Sequence, residues 1–157
     1  MSCDVALAAF LVFAQAVPAA ASPPSVVAID QAPALAGEPL FRDIAGRAGS
    51  LKGQVDAYRK SLAGASEAVT LPQFGQFSES ITELSLLDLK GHGVLVARGS
   101  KDDLKCILYG ISQDLPNRLA AVAAAKTGHD QDLALRDMSY LLNDNVEAII
   151  APPQPAA

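Results

Sequence analysis

Apolar residues recur at three- and four-residue intervals along most of the chain between residues 38 and 150. That spacing lines one face of an α-helix, and four stretches carry it. In the first, residues 38–62, the stripe is Leu40, Ile44, Leu51, Val55, Tyr58 and Leu62, with Arg47 or Ala48 filling its one gap. Pro39 suits a first-turn position, where its missing N–H is not needed. Gly46, Gly49 and Gly53 weaken the segment, by about 1 kcal/mol each relative to Ala, and would admit a neighbouring helix closely.

The second stretch carries Phe77, Ile81, Leu84 and Leu87 on the same spacing. Ser80-Ile81-Thr82-Glu83 reads as a capping box, which places the helix start there or slightly earlier, near Phe77. Gly91-His92-Gly93 interrupts the pattern, so the competing expectation is three helices plus a β-hairpin over residues 84–98. Its strands, around 84–89 and 94–98, would join at the glycines. Neither strand alternates cleanly, and the helix is the expected form.

Ser100-Lys101-Asp102-Asp103 has the chemistry of a helix N-cap, with acids where the helix dipole favours them. The stripe that follows is Leu104, Ile107 or Leu108, Ile111, Leu115, Leu119 or Arg118, and Val122. It keeps its phase across Pro116, which predicts one helix kinked at the proline rather than two split at Asp114. Gly128 is expected to cap this third helix, and Thr127 with Asp130 to cap the next. Leu135, Met138, Leu142, Val146 and Ile149, widened by Leu141, mark the last stripe. Short connections between four amphipathic helices predict an all-α fold, a small antiparallel bundle running up-down-up-down.

The ends read differently. Residues 5–17 form an apolar run of signal-peptide length, followed by Pro18 and Ala19-Ala20-Ala21, which predicts export with cleavage after Ala21. The segment before the run has no Lys or Arg, so a retained N-terminal anchor is the alternative for residues 1–21. Residues 22–37 read as a flexible Pro/Ala-rich linker, residues 38–150 as the helical domain and residues 151–157 as a disordered Pro-rich tail.

Composition narrows the function classes. Acidic residues outnumber basic ones by 17 to 12, and no basic run occurs, which argues against nucleic acid as a partner. Cleavage would remove Cys3 and leave Cys106, read as a small buried apolar residue. No phosphate-binding glycine loop, dinucleotide fingerprint, HExxH, CxxCH or paired-cysteine zinc motif is present. His92 and His129 both adjoin glycine in expected connections and read as solvated loop residues. Glu79, Glu83 and His92 lack the spacing of a bundle di-metal site, and Met138 reads as core filler rather than a haem ligand. Asn143, Asp144, Asn145 and Glu147 read as a solvated polar face rather than a calcium loop. Ser112 and Ser139 sit in ordinary helix without a nucleophile elbow. No catalytic residue, metal ligand or cofactor is therefore assigned.

The expected function is that of a non-enzymatic, exported helical module binding a macromolecular partner, a protein of the cell envelope. It should act in the periplasm or after secretion, with membrane contact only if the leader is retained. An exposed apolar groove near the glycine-lined first helix is the expected binding surface. A small-ligand, metal or haem carrier using the bundle interior near Met138 or Cys106 is the alternative.

Overall fold

A computed structural model describes residues 35–100 and 103–151. The expected leader, the tail beyond Ala151 and the linker up to residue 34 lie outside the described residues. Four long helices follow one another: α1 (Pro39–Ser61), α2 (Phe74–Ala97), α3 (Leu104–Ala124) and α4 (Gly128–Ile150). Each packs on its neighbours in sequence, α4 closes back on α1, and the two diagonal pairs share no seam. Ion pairs at the two ends fix the antiparallel sense. Glu38 at the start of α1 meets Arg98 at the end of α2, while Arg59 near the end of α1 meets Asp132 near the start of α4. The described residues form an antiparallel bundle of four helices. Its single β-type contact among the described residues is a bridge between Glu67 and Thr127 in two connections.

The stripes become the core. Phe41, Ile44, Ala48, Leu51, Val55 and Tyr58 of α1 are buried, so Ala48 rather than Arg47 fills the gap and Phe41 rather than Leu40 leads the stripe. Leu104, Leu108, Ile111, Leu115 and Val122 of α3 face Leu135, Met138, Leu142, Ala148 and Ile149 of α4 within the same cluster. Each fully buried large side chain contributes about 1.5–3 kcal/mol. Leu35 and Ala36, read from the sequence as linker, also pack on this core.

Two local expectations are corrected, and the preferred helical reading of residues 84–98 is met. Helix α2 begins at Phe74, a full turn and more before the Ser80-x-x-Glu83 pattern. Phe74 stacks on Phe77, and Phe77 meets the edge of Tyr58, so aromatic packing draws the start forward. Ser80 then bonds back to the Gln76 carbonyl and caps nothing. The same helix runs unbroken through Gly91-His92-Gly93, and the hairpin does not form. Gly91 belongs to the core face, where an added Cβ would press on Leu108, Ile44 and Phe41 at 3.1, 3.2 and 3.4 Å. The close-approach role expected of Gly46, Gly49 and Gly53 is therefore filled by Gly91; those three are exposed, and only Gly49 comes near another side chain.

Helix α3 continues through Pro116 without a split at Asp114. Its successor starts as expected with Thr127, whose hydroxyl oxygen accepts from the Asp130 backbone N–H at 3.0 Å while its O–H donates to the Asp130 carboxylate. Gly128 is the first residue of α4 rather than a cap on α3. It lies against the Ala65 carbonyl, where a Cβ would collide with backbone. The long connection between α1 and α2 is tied to α4 by buried Gln131, whose amide donates to the Val69 carbonyl and accepts the Val69 N–H.

Candidate functional site

The polar side chains that the bundle positions fall into two places with opposite character. One is a groove along the outer flank of α1. Arg42, Asp43, Gly46, Arg47, Ser50 and Gln54 recur on one helical face, and Ser80 of α2 forms the facing wall. The volume enclosed is about 720 Å³, within the range of binding clefts. The groove exists because α1 and α2 make the least intimate seam of the bundle. Gly46 presents no side chain to fill it.

Arg47 crosses the groove. It donates to Asp43 one turn earlier and to Glu83 of α2, both at 3.0 Å, and these carboxylates hold its guanidinium still more firmly charged. Arg42 shares the same wall and forms no ion pair among the described residues. The deep end of the seam is closed by Tyr58, which donates to the Pro72 carbonyl at 2.6 Å and accepts from Gln54. Burial raises the Tyr58 phenol above its ordinary value, and the Gln54 amide opposes that shift. The groove is thus a charged, hydrogen-bonding surface in which Arg42 has no ion pair among the described residues. Pro39 and Leu51 add apolar surface to the lining, which is mixed rather than the apolar one expected.

The second place is interior. Asp88 of α2 and Asn145 of α4 are both fully buried, and they meet across the diagonal of the bundle. The Asn145 amide donates to Asp88 Oδ2 at 2.9 Å. Asp88 Oδ1 and Asn145 Oδ1 have no hydrogen-bond partner among the described residues. Burial pushes the Asp88 carboxyl up to about 8, partly offset by the Asn145 amide. A neutral carboxylic acid satisfies this geometry where a carboxylate does not. With a proton on Oδ1 the acid would have a donor to offer Asn145 Oδ1 while Oδ2 accepts from the amide, which would pair both orphan oxygens.

Sequence reasoning missed both partners. Asn145 is expected on a solvated face but lies one turn before Ile149 on the buried stripe. Asp88 sits four residues after Leu84 and three before Gly91, on the same core face. Counting by threes and fours through the polar residue, rather than skipping it, finds each of them.

The other candidates stand apart. His92 is helical and half-buried, with Nδ1 at 2.6 Å from the Lys105 carbonyl and its ring against Tyr109. His129 lies in the first turn of α4, at the opposite end of the bundle, beside a smaller hollow of about 410 Å³ that also holds Arg59 and Asp132. The two histidines are helical rather than loop residues, and they do not converge. Met138 packs in the core and Cys106 is half-buried. No group of three or more metal-ligating side chains forms among the described residues. Ser112 and Ser139 are buried, Ser112 donating to the Tyr109 carbonyl and Ser139 to the Asp56 carboxylate. That bond and the stronger one from Lys52 hold Asp56 below the usual carboxylate range. Asp144 and Glu147 are exposed, as a polar face requires.

The chain matches no known family model, no curated protein and no solved structure.

Proposed function

We propose that this chain is a non-enzymatic binding module which, after export to the cell envelope, seats a segment of a partner protein in the groove along α1. The observation that carries this reading is Arg42, without an ion pair among the described residues, beside the Arg47 cross-link on a wall kept shallow by Gly46. A partner segment with a carboxylate would pair with Arg42, lay a small side chain over Gly46, and find hydrogen-bonding groups in Ser50, Gln54 and Ser80. Arg42 suits recognition because its charge is permanent and its fork of donors matches a carboxylate. The groove holds charges and hydroxyls but no nucleophile beside a base, so binding rather than turnover is the chemistry it supports.

The test is capture from the native envelope fraction with the mature chain and with its Arg42→Glu variant, followed by native mass spectrometry of what is retained. The reading expects a defined protein held by the wild type and released from the variant, while both keep the same helicity. Equal retention by both would reject the groove as the site.

A further inference from the structure

The outward face of α2 is apolar as well as the inward one. Leu86, Leu89 and Val96 are 62, 41 and 52% exposed. With exposed Gly93 they fall at intervals of three, four and three residues, diametrically opposite Leu84, Asp88, Gly91 and Leu95 of the core face. A helix apolar on both sides ordinarily has something packed on each. No helix among the described residues is long and apolar enough to cross a membrane. What covers this stripe is written in the charges beside it. On one flank, exposed Glu83 lies one turn before Leu86 and exposed Lys90 one turn after it.

We infer that the outer face of α2 pairs with the same face of a second copy, antiparallel, about a two-fold axis passing between Leu86 and Leu89. In that register Leu86 packs on the copy's Leu89 and Gly93 lies opposite Thr82. Lys90 of each chain then stands beside Glu83 of the other, twice over, as a closed two-fold interface requires. One oxygen of Glu83 already accepts from Arg47, and the second is available to the incoming ammonium. A parallel pairing offers none of this. It would set Gly93 against Gly93, leaving a gap, and would bring Lys90 beside Ser85, which donates to the Ser112 carbonyl. No residue of the stripe lines the α1 groove, although Glu83 beside it pairs with Arg47 there, and the inference does not depend on the proposed function.

Sedimentation equilibrium of the full chain, at micromolar concentrations and low salt, tests the pairing. A dimer is expected. Leu89→Lys should abolish it with the far-ultraviolet circular dichroism unchanged, because the side chain is exposed and its loss leaves the core intact. Lys90→Glu and Glu83→Lys should each weaken association roughly tenfold, as two ion pairs turn to repulsions. Combining them should recover most of the wild-type affinity, since the swapped charges again face their opposites. A wild-type monomer would overturn the inference, as would a dimer indifferent to Leu89→Lys or a charge swap without recovery. A monomer that instead sediments with anionic lipid vesicles would assign the stripe to a membrane surface and reject the second copy.

Discussion

The α1 groove and the Asp88–Asn145 pair use the same materials, carboxyl and amide or guanidinium, to opposite ends. In the groove Asp43, Arg47 and Glu83 remain in contact with water, and their charges are stabilised there at little cost. In the interior a lone carboxylate would forfeit its hydration, so burial favours the neutral acid for Asp88, whose Oδ2 accepts from the Asn145 amide. The contrast separates two tasks. Charge kept at the surface is available for recognition, whereas the interior polar pair pins together two helices that share no seam of their own. A buried polar pair of this kind also specifies arrangement: it is satisfied only when α2 and α4 are in register, and an apolar pair would tolerate sliding.

The sharpest way to break the contrast is to remove the interior partner. Asn145→Leu leaves the Asp88 carboxyl without its amide and should cost about 3 kcal/mol of unfolding free energy, measured in urea. An unchanged midpoint would mean that the pair holds nothing.

How far the sequence alone reaches follows the same division. The helices were legible because burial repeats every three or four residues, and Ile44, Val55, Leu108, Leu115, Leu135 and Leu142 all lie where the spacing puts them. The Thr127 cap was legible because its partner is three residues away. What failed was whatever depends on a distant neighbour. The start of α2 is set by Tyr58, on another helix, and Gly91 matters because Phe41, Ile44 and Leu108 converge on it. Asp88 and Asn145 are 57 residues apart, and each alone resembles an ordinary surface polar residue. The charges along α1 were not legible, because Glu83 reaches Arg47 from α2.

Smaller effects sharpen the account. Thr127→Ala removes the cap of α4 and should cost about 1 kcal/mol in the same urea experiment. A loss well below that would show the Gln131 clamp and the seating of Gly128 to be sufficient alone. Arg42→Glu should leave the thermal midpoint nearly unmoved, since the side chain makes no ion pair among the described residues, while abolishing partner capture. A variant that unfolds early would place Arg42 in the framework rather than in the groove's function.

The contrast between the two regions rests on the protonation state of Asp88, and the dependence of folding stability on pH reads it directly. The native carboxyl is raised to about 8, above the value near 3.9 expected of Asp in the unfolded chain. Between those values the native state holds a proton that the unfolded state has released. The stabilisation is therefore full below the unfolded value and is lost as pH rises towards the native one, at up to about 1.4 kcal/mol per pH unit. Asp56 and Asp132, held low by Lys52 and Arg59, act in the opposite sense and only at acid pH. Urea unfolding of the wild type and of Asp88→Asn, followed between pH 5 and about 8, isolates the contribution, because the variant keeps a reciprocal amide pair that cannot titrate. Wild-type stability should fall across this window relative to a nearly flat variant. Parallel curves would contradict the account, for they would mean that Asp88 is already ionised within the core.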